Sequence, residues 1–569
     1  MKIQGFLLVA LAAFALGQGG QGQGQAQGQG QGQGRGPSNR PAPVAHIQDV
    51  PFERILGASK EPQNWLSYSG GVMSQRYSAL TQITPANAKD LTLSWVYQSR
   101  SLDKHEVTPL VVDGVMYTVS SPNDVIALDA ATGKTIWTYQ HKPAQGTVNP
   151  CCGNLTRGVA IVGNKLFLAS LDAQMIAIDA RTGAELWKTQ VADYKQRYSM
   201  TVAPIVVKDK VIAGVAGGEQ GIRGFVAAWD VNTGKEVWRF NTVPGPGEPG
   251  FETWLGPDGK PNDSWMHGGA PIWVTGSYDP ESNLTFWGTG NAGPDWDGDA
   301  RLGDNLYSSS VIALDADTGK LKWHYQFSPH NEFDWDATQV PVLADIQFHG
   351  QPRKAMLWAN RNGMFYVLDR TNGKFLLGKP FTKVNWSDGF DENGRPIIVP
   401  SVVPSKTGTL VYPGNQGGTN WYNPSFSPAT GLFYIPAWEN TSSTYLKGEA
   451  PPEFHEGASF SGVFPRGGAT TEDVFSSIVA MDPNTGERKW THRLSAPSTE
   501  AGILTTASNM LFSGGRDGSF YALDARDGTT LWDTNLGPSV SAGPMTYMVN
   551  GKQYVSIQCG SALFTFSLR

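Results

Sequence analysis

A chain of 569 residues with 67 glycines and 37 prolines is dense in turns, and long helices are disfavoured from the outset. A formal net charge of −6 without basic clusters argues against nucleic acid or an anionic membrane as the main partner. Three cysteines without a Cys-x-x-Cys-His motif exclude covalently attached c-type haem, and the histidines lack zinc-ligand spacing.

At the N-terminus, Lys2, an apolar run from Phe6 to Leu16 and the small residues Ala15 to Gly17 read as an export signal over residues 1–17. The run is too short to span a bilayer, and no later run approaches that length. The mature chain is therefore expected to be soluble in the periplasm. Residues 18–45 form a Gly/Gln-rich leader that cannot bury a core. The folded domain is expected over 46–569.

Further along, one pattern recurs: an apolar residue, Asp, two variable residues, Thr-Gly, three more, then Trp. It runs from Ala127 to Trp137, Ala177 to Trp187, Ala228 to Trp238, Ala313 to Trp323, Ala480 to Trp490 and Ala522 to Trp532, with a weaker copy from Val367 to Leu377. Each copy reads as strand, tight turn, strand, in which Asp bonds the turn backbone and Gly accepts positive φ. Trp137, Trp187 and Trp238 lie about 50 residues apart, the period of a four-stranded propeller blade. The longer gap before Trp323 predicts inserted functional loops. The gap before Trp490 leaves room for a degraded copy around Tyr412 to Trp438, and with it the count reaches eight. A strand from Leu91 to Gln98 completes the last blade. The expected fold is all-β, an eight-bladed β-propeller with tryptophan-docking repeats, closed so that no sheet edge is left bare.

Two stretches invite chemistry. Cys151 and Cys152 are adjacent in an exported chain, where thiols oxidise with each other or elsewhere. Asp334 and Asp336 bracket Trp335 in a polar loop from Ser328 to Asp336, and in extended backbone both carboxylates face the same side. Such a pair repels unless a proton or cation lies between them. Taken alone, the loop also fits a solvated acidic turn.

The ensemble of motifs resembles the quinoprotein alcohol dehydrogenases, propeller enzymes that hold pyrroloquinoline quinone (PQQ) and a metal on the axis. The resemblance runs from about Pro51 to the C-terminus. It rests on the Trp repeat together with His105-Glu-Val-Thr-Pro-Leu110, Cys151-Cys-Gly-Asn-Leu-Thr-Arg157, Gly217-Gly-Glu-Gln-Gly-Ile-Arg-Gly224, Gly288-Thr-Gly-Asn291, Asp334-Trp-Asp336, Arg361-Asn-Gly-Met-Phe-Tyr-Val-Leu-Asp-Arg370 and Gly417-Gly-Thr-Asn-Trp421.

Carried onto these positions, the resemblance implies a Cys151–Cys152 disulfide on one face of the quinone and Trp273 on the other. Arg157 and Arg361 would answer its carboxylates, with Glu106, Thr201, Gly217, Gly218, Asn420 and Trp421 along its edge. The metal set is Glu219, Asn291 and Asp334, oxygen donors suited to a hard cation. Asp336 adds a carboxylate at the position that marks the lanthanide-dependent members, so the expected ion is a lanthanide, with calcium the alternative. Asp334 is the expected catalytic base in the oxidation of a small primary alcohol to an aldehyde, with a soluble cytochrome c as electron acceptor. The alternatives are a sugar, polyol or aldehyde dehydrogenase using the same cofactor, and a non-enzymatic outer-membrane assembly propeller. A homodimer is carried only as an open expectation. This chain departs from the family pattern at Pro271, Phe333 and Glu500, which bears on the substrate.

Overall fold

The computed structural model describes residues 44–147 and 151–569. The expected export signal and the leader up to residue 43 lie outside the described residues. Strands dominate: seven sheets have four strands and one has five. In sequence order they span 110–139, 160–190, 205–241, 277–326, 342–380, 425–493, 504–535 and 545–568, the last completed by Leu91–Gln98. That early strand pairs antiparallel with Ala562–Leu568, as the sequence led one to expect. Among the described residues no helix is long and apolar enough to cross a membrane.

The repeated motif builds the turn between the two outermost strands of a sheet. Asp129 Oδ1 accepts hydrogen bonds from the backbone N–H groups of Ala131 and Thr132 and from the Thr132 hydroxyl. Asp179, Asp230 and Asp315 repeat the arrangement. The turn glycine has φ near 70°, but a second constraint excludes any side chain. The indole of the preceding sheet lies on it, and a Cβ on Gly183 would stand 2.7 Å from Trp137 Cε3. The Trp137 Nε1–H also donates to Ala180 O of the next sheet at 3.2 Å. Each repeat Trp therefore joins its own sheet to the following one rather than merely anchoring its strand.

The same contact recurs between Trp187 and Gly234, Trp238 and Gly319, Trp323 and Gly373, and Trp490 and Gly528. In the weaker copy, Leu377 and Lys379 take the place of the indole against Gly486. Trp95, in the strand that completes the last sheet, lies over Gly133 of the first and donates to Ala130 O at 3.2 Å. The final sheet is thereby tied back to the first. The core is distributed along these sheet-to-sheet contacts; one continuous apolar cluster runs from Ala45 through the first four sheets to Ala316.

One expectation is corrected. Tyr412 to Trp438 is not a separate repeat: Leu432–Glu439 is an inner strand of the sheet whose outer strand carries Trp490. The long gap is filled by a pair of strands, Ser387–Phe390 and Pro396–Ile398, and a three-stranded sheet containing Thr409–Val411, Ser443–Tyr445 and Arg466–Gly467. The sheet unaccounted for by the repeat is the C-terminal one, 545–568, whose outer strand comes from the N-terminal side of the chain.

Candidate active site

Loops from several sheets converge on a cavity of about 530 Å³. Two of its walls are flat. One carries Cys151 and Cys152, which form a disulfide between adjacent residues, and another carries Trp273. Among the described residues, Cys559 is the free cysteine, and it is buried.

Basic groups gather along one side. Arg157 donates to Glu106 Oε2 at 2.6 Å, to Thr201 Oγ1 at 3.1 Å and to Trp273 O at 3.0 Å, and its guanidinium lies 4.8 Å from the Trp273 ring. Lys104 bridges Glu106 Oε1 at 2.9 Å and Glu500 Oε2 at 2.7 Å, and sits 4.7 Å from the centre of the Trp421 ring. Glu106 and Thr201 thus hold the cations in place as well as lining the cavity. Asn420 lines it beside Trp421, and its Oδ1 accepts from the Trp421 N–H at 3.0 Å. The Nε–H groups of Arg157 and Arg361 are buried and have no hydrogen-bond partner among the described residues. Buried donors without acceptors are costly, so this side is suited to a ligand that brings anionic oxygens.

Another part of the lining is acidic. Gly217, at φ 117°, starts a short turn, Gly218–Gln220, that presents Glu219. A Cβ on Gly217 would meet Arg197 O at 2.6 Å, so only glycine fits there. Glu219 Oε1 accepts from the Cys151 N–H at 2.9 Å, linking the acid end to the disulfide. Gly218, expected at the cofactor's edge, does not line the cavity. It packs beneath Pro271, where an added Cβ would lie 2.8 Å from Pro271 Cδ, and so supports the wall from behind.

Asp334 and Asp336 both face the cavity, while Trp335 between them is fully buried and donates to Gly414 O at 3.1 Å. Asp334 adopts φ 58°, a left-handed conformation uncommon for a residue with a side chain. Arg361 Nη2 donates to its Oδ2 at 3.1 Å. Asp336 is held from two sides: Oδ1 accepts from the Asn291 N–H at 2.8 Å, and Oδ2 from the Trp273 Nε1–H at 2.6 Å. The stacking wall and the acid end are therefore one connected assembly.

A fourth carboxyl, Asp295, lines the same end and was not singled out in the sequence. Burial pushes the Asp334 carboxyl up to about 7; Arg361 opposes the rise, and Asp336 and Glu219 add to it. Burial also raises Glu219, with Asp336 contributing, and raises Asp295 well above the ordinary carboxylate range, with Asp334 and Glu219 contributing. Carboxyls that raise one another in a buried pocket are those that a hard, oxygen-seeking cation would stabilise in the charged form. The remaining wall, with Leu155, Pro271, Trp296 and Phe464, is apolar.

Of the residues that sequence reasoning missed, Lys104 and Asp295 carry no motif of their own. Glu500 had been noted only as a departure, and it is the far partner of Lys104.

Comparison with known proteins accounts for this combination. Residues 65–396 and 493–555 match the family described as PQQ: glucose/ethanol/alcohol dehydrogenase, beta-propeller domain. The chain is 38% identical over 538 residues to the quinoprotein alcohol dehydrogenase PedH of Pseudomonas putida, covering 90% of this chain and 88% of the relative. It is also 38% identical over 530 residues to the 1-butanol dehydrogenase (cytochrome c) of Thauera butanivorans, covering 87% of this chain and 74% of that protein. Among solved structures, a europium-containing methanol dehydrogenase aligns with a TM-score of 0.84 at 32% identity, covering 91% of this chain and all of that one. The chain belongs to the PQQ-dependent quinoprotein alcohol dehydrogenases, oxidoreductases built on a β-propeller.

Proposed function

We propose that this protein oxidises primary alcohols to aldehydes in the periplasm, with PQQ and one lanthanide ion in the cavity and a soluble cytochrome c as electron acceptor. The observation that carries this reading is the junction of Trp273 with Asp336, which joins a flat aromatic wall to a cluster of buried and half-buried carboxylates. The seven four-stranded sheets and the five-stranded one, tied end to end through Trp95 and Gly133, support an eight-bladed ring within a domain over 46–569. That domain follows an export signal over 1–17 and a leader over 18–45.

In this reading the Cys151–Cys152 disulfide and Trp273 would hold the quinone from its two faces, and both walls stand ready before binding, which lowers the ordering cost. Arg157 and Arg361 would take its carboxylates, while Glu106, Thr201, Gly217, Asn420 and Trp421 would line its edge. Glu219, Asn291, Asp334 and Asp336 hold the ion. When bound, PQQ supplies the hydride acceptor, and the ion polarises the quinone carbonyl and keeps Asp334 ionised. Asp334 then takes the alcohol's hydroxyl proton as general base, its carboxylate oriented by Arg361. The apolar wall of Leu155, Trp296 and Phe464 receives the alcohol's carbon chain and keeps water from the reacting end.

The lanthanide assignment rests on charge. A trivalent ion of calcium's size is better matched by the carboxylates of Glu219, Asp334 and Asp336 than by a set with one fewer. The name of the Thauera relative supports cytochrome c as acceptor, and the europium-containing methanol dehydrogenase supports a lanthanide. The test is reconstitution of metal-free apoprotein with PQQ and either La³⁺ or Ca²⁺, assayed with a dye acceptor on a panel of alcohols, sugars, polyols and aldehydes. Turnover of primary alcohols is expected to be higher with La³⁺. Turnover with Ca²⁺ alone would overturn the choice of ion, and a preference for sugars would overturn the substrate.

A further inference from the structure

The acid end holds one carboxylate more than the expected set. Asp295 is 5% exposed, lines the cavity with Glu219, Asp334 and Asp336, and its Oδ1 has no hydrogen-bond partner among the described residues. Its backbone is clamped on both sides. The Pro294 carbonyl accepts from Arg301 Nε at 3.2 Å and Nη2 at 2.8 Å, and the Trp296 N–H donates to Ser461 O at 2.9 Å. The backbone that carries the carboxyl is therefore held in place on the cavity wall.

No cation is hydrogen-bonded to it from behind. Arg301 is fully buried, and its donors are directed to Pro294 O, Asn305 Oδ1 and Asn331 O rather than to Asp295. A buried carboxylate with an unpartnered oxygen and no hydrogen-bonded cation is unfavourable unless the cavity supplies a positive charge. Among the groups lining this end, four carboxylates (Glu219, Asp295, Asp334 and Asp336) stand against one guanidinium, Arg361, and Arg301 behind Asp295 is shared with Glu332 and Asp297, so negative charge is in excess. A trivalent ion offsets that excess more fully than a divalent one.

We propose that Asp295 is a fourth carboxylate of the metal centre and that it biases the centre toward trivalent over divalent cations. This rests on the reading of the cavity as a metal-binding site. Its ligand is a hard trivalent cation, and its effect is on affinity and selectivity rather than on the proton transfer assigned to Asp334.

The test is metal retention. Purified holoenzyme loaded with La³⁺ or Ca²⁺ is dialysed against graded chelator, and the metal remaining is measured by mass spectrometry for the wild type, Asp295→Asn and Asp295→Glu. Asp295→Asn keeps the side chain's shape and removes its charge. It is expected to lower La³⁺ affinity by about 10-fold to 100-fold, the range for losing a group that holds a metal site. Ca²⁺ affinity should fall less, so the La³⁺ to Ca²⁺ ratio drops, and Asp295→Glu should restore it in part. An unchanged ratio in Asp295→Asn, or an equal loss of both ions, overturns the proposal while leaving the metal centre in place. A wild type that retains neither ion overturns the centre itself, and this role with it.

Discussion

Replacing Asp334 by Asn is expected to abolish alcohol oxidation with either La³⁺ or Ca²⁺, a loss of roughly 100-fold to 10,000-fold for removal of a general base. Asp334 is one of the carboxyls in the cavity, it is paired with Arg361, and it occupies a left-handed backbone conformation that the surrounding loop must enforce. Asn can retain a hydrogen bond to Arg361 but cannot accept the hydroxyl proton. Steady-state turnover with a dye acceptor reads the loss, and the absorbance of bound quinone checks that the cofactor is still held. Turnover within about tenfold of wild type would remove Asp334 from the role of base, because general-base contributions rarely fall so low.

Asp336→Ala is expected to reduce lanthanide-supported turnover through weaker metal binding, by about 10-fold to 100-fold in affinity. Three effects converge on this one residue. Its charge contributes to holding the ion, Oδ1 anchors the loop of Asn291, and Oδ2 fixes the Trp273 indole. Asp336→Asn separates them, since it keeps one acceptor oxygen and loses the charge. Titration of La³⁺ into each metal-free variant, followed by turnover, measures the change. If Asp336→Ala responds to La³⁺ as the wild type does, the assignment of the ion is wrong.

Much of this architecture was legible because its determinants are local. The Asp-x-x-Thr-Gly turn closes on itself through hydrogen bonds within a few residues, as at Asp129 and Thr132, so each copy announces itself. What each Trp touches was not legible, because its partner glycine belongs to the next sheet. The extra repeat expected near Tyr412 to Trp438 shows the cost. The apolar run of Leu432–Glu439 looks like an independent unit until its pairing with Phe475–Met481 is seen.

At the site, residues embedded in motifs could be picked out and line one cavity, whereas those defined by distant neighbours could not be picked out. Glu219, Asn291, Asp334 and Asp336 sit in distinctive strings. Lys104 gains its meaning only from Glu106 and Glu500, the latter some 400 positions away, and Asp295 from carboxyls on other loops.

The most direct test of the account is an anomalous-scattering map from crystals of the holoenzyme prepared with a lanthanide. A single strong peak is expected within coordination distance of Glu219, Asn291, Asp334 and Asp336, next to a planar ligand against Trp273. A map with no peak there, or with the ion instead at the neighbouring cluster of Asp297, Asp299 and Glu332, would contradict it.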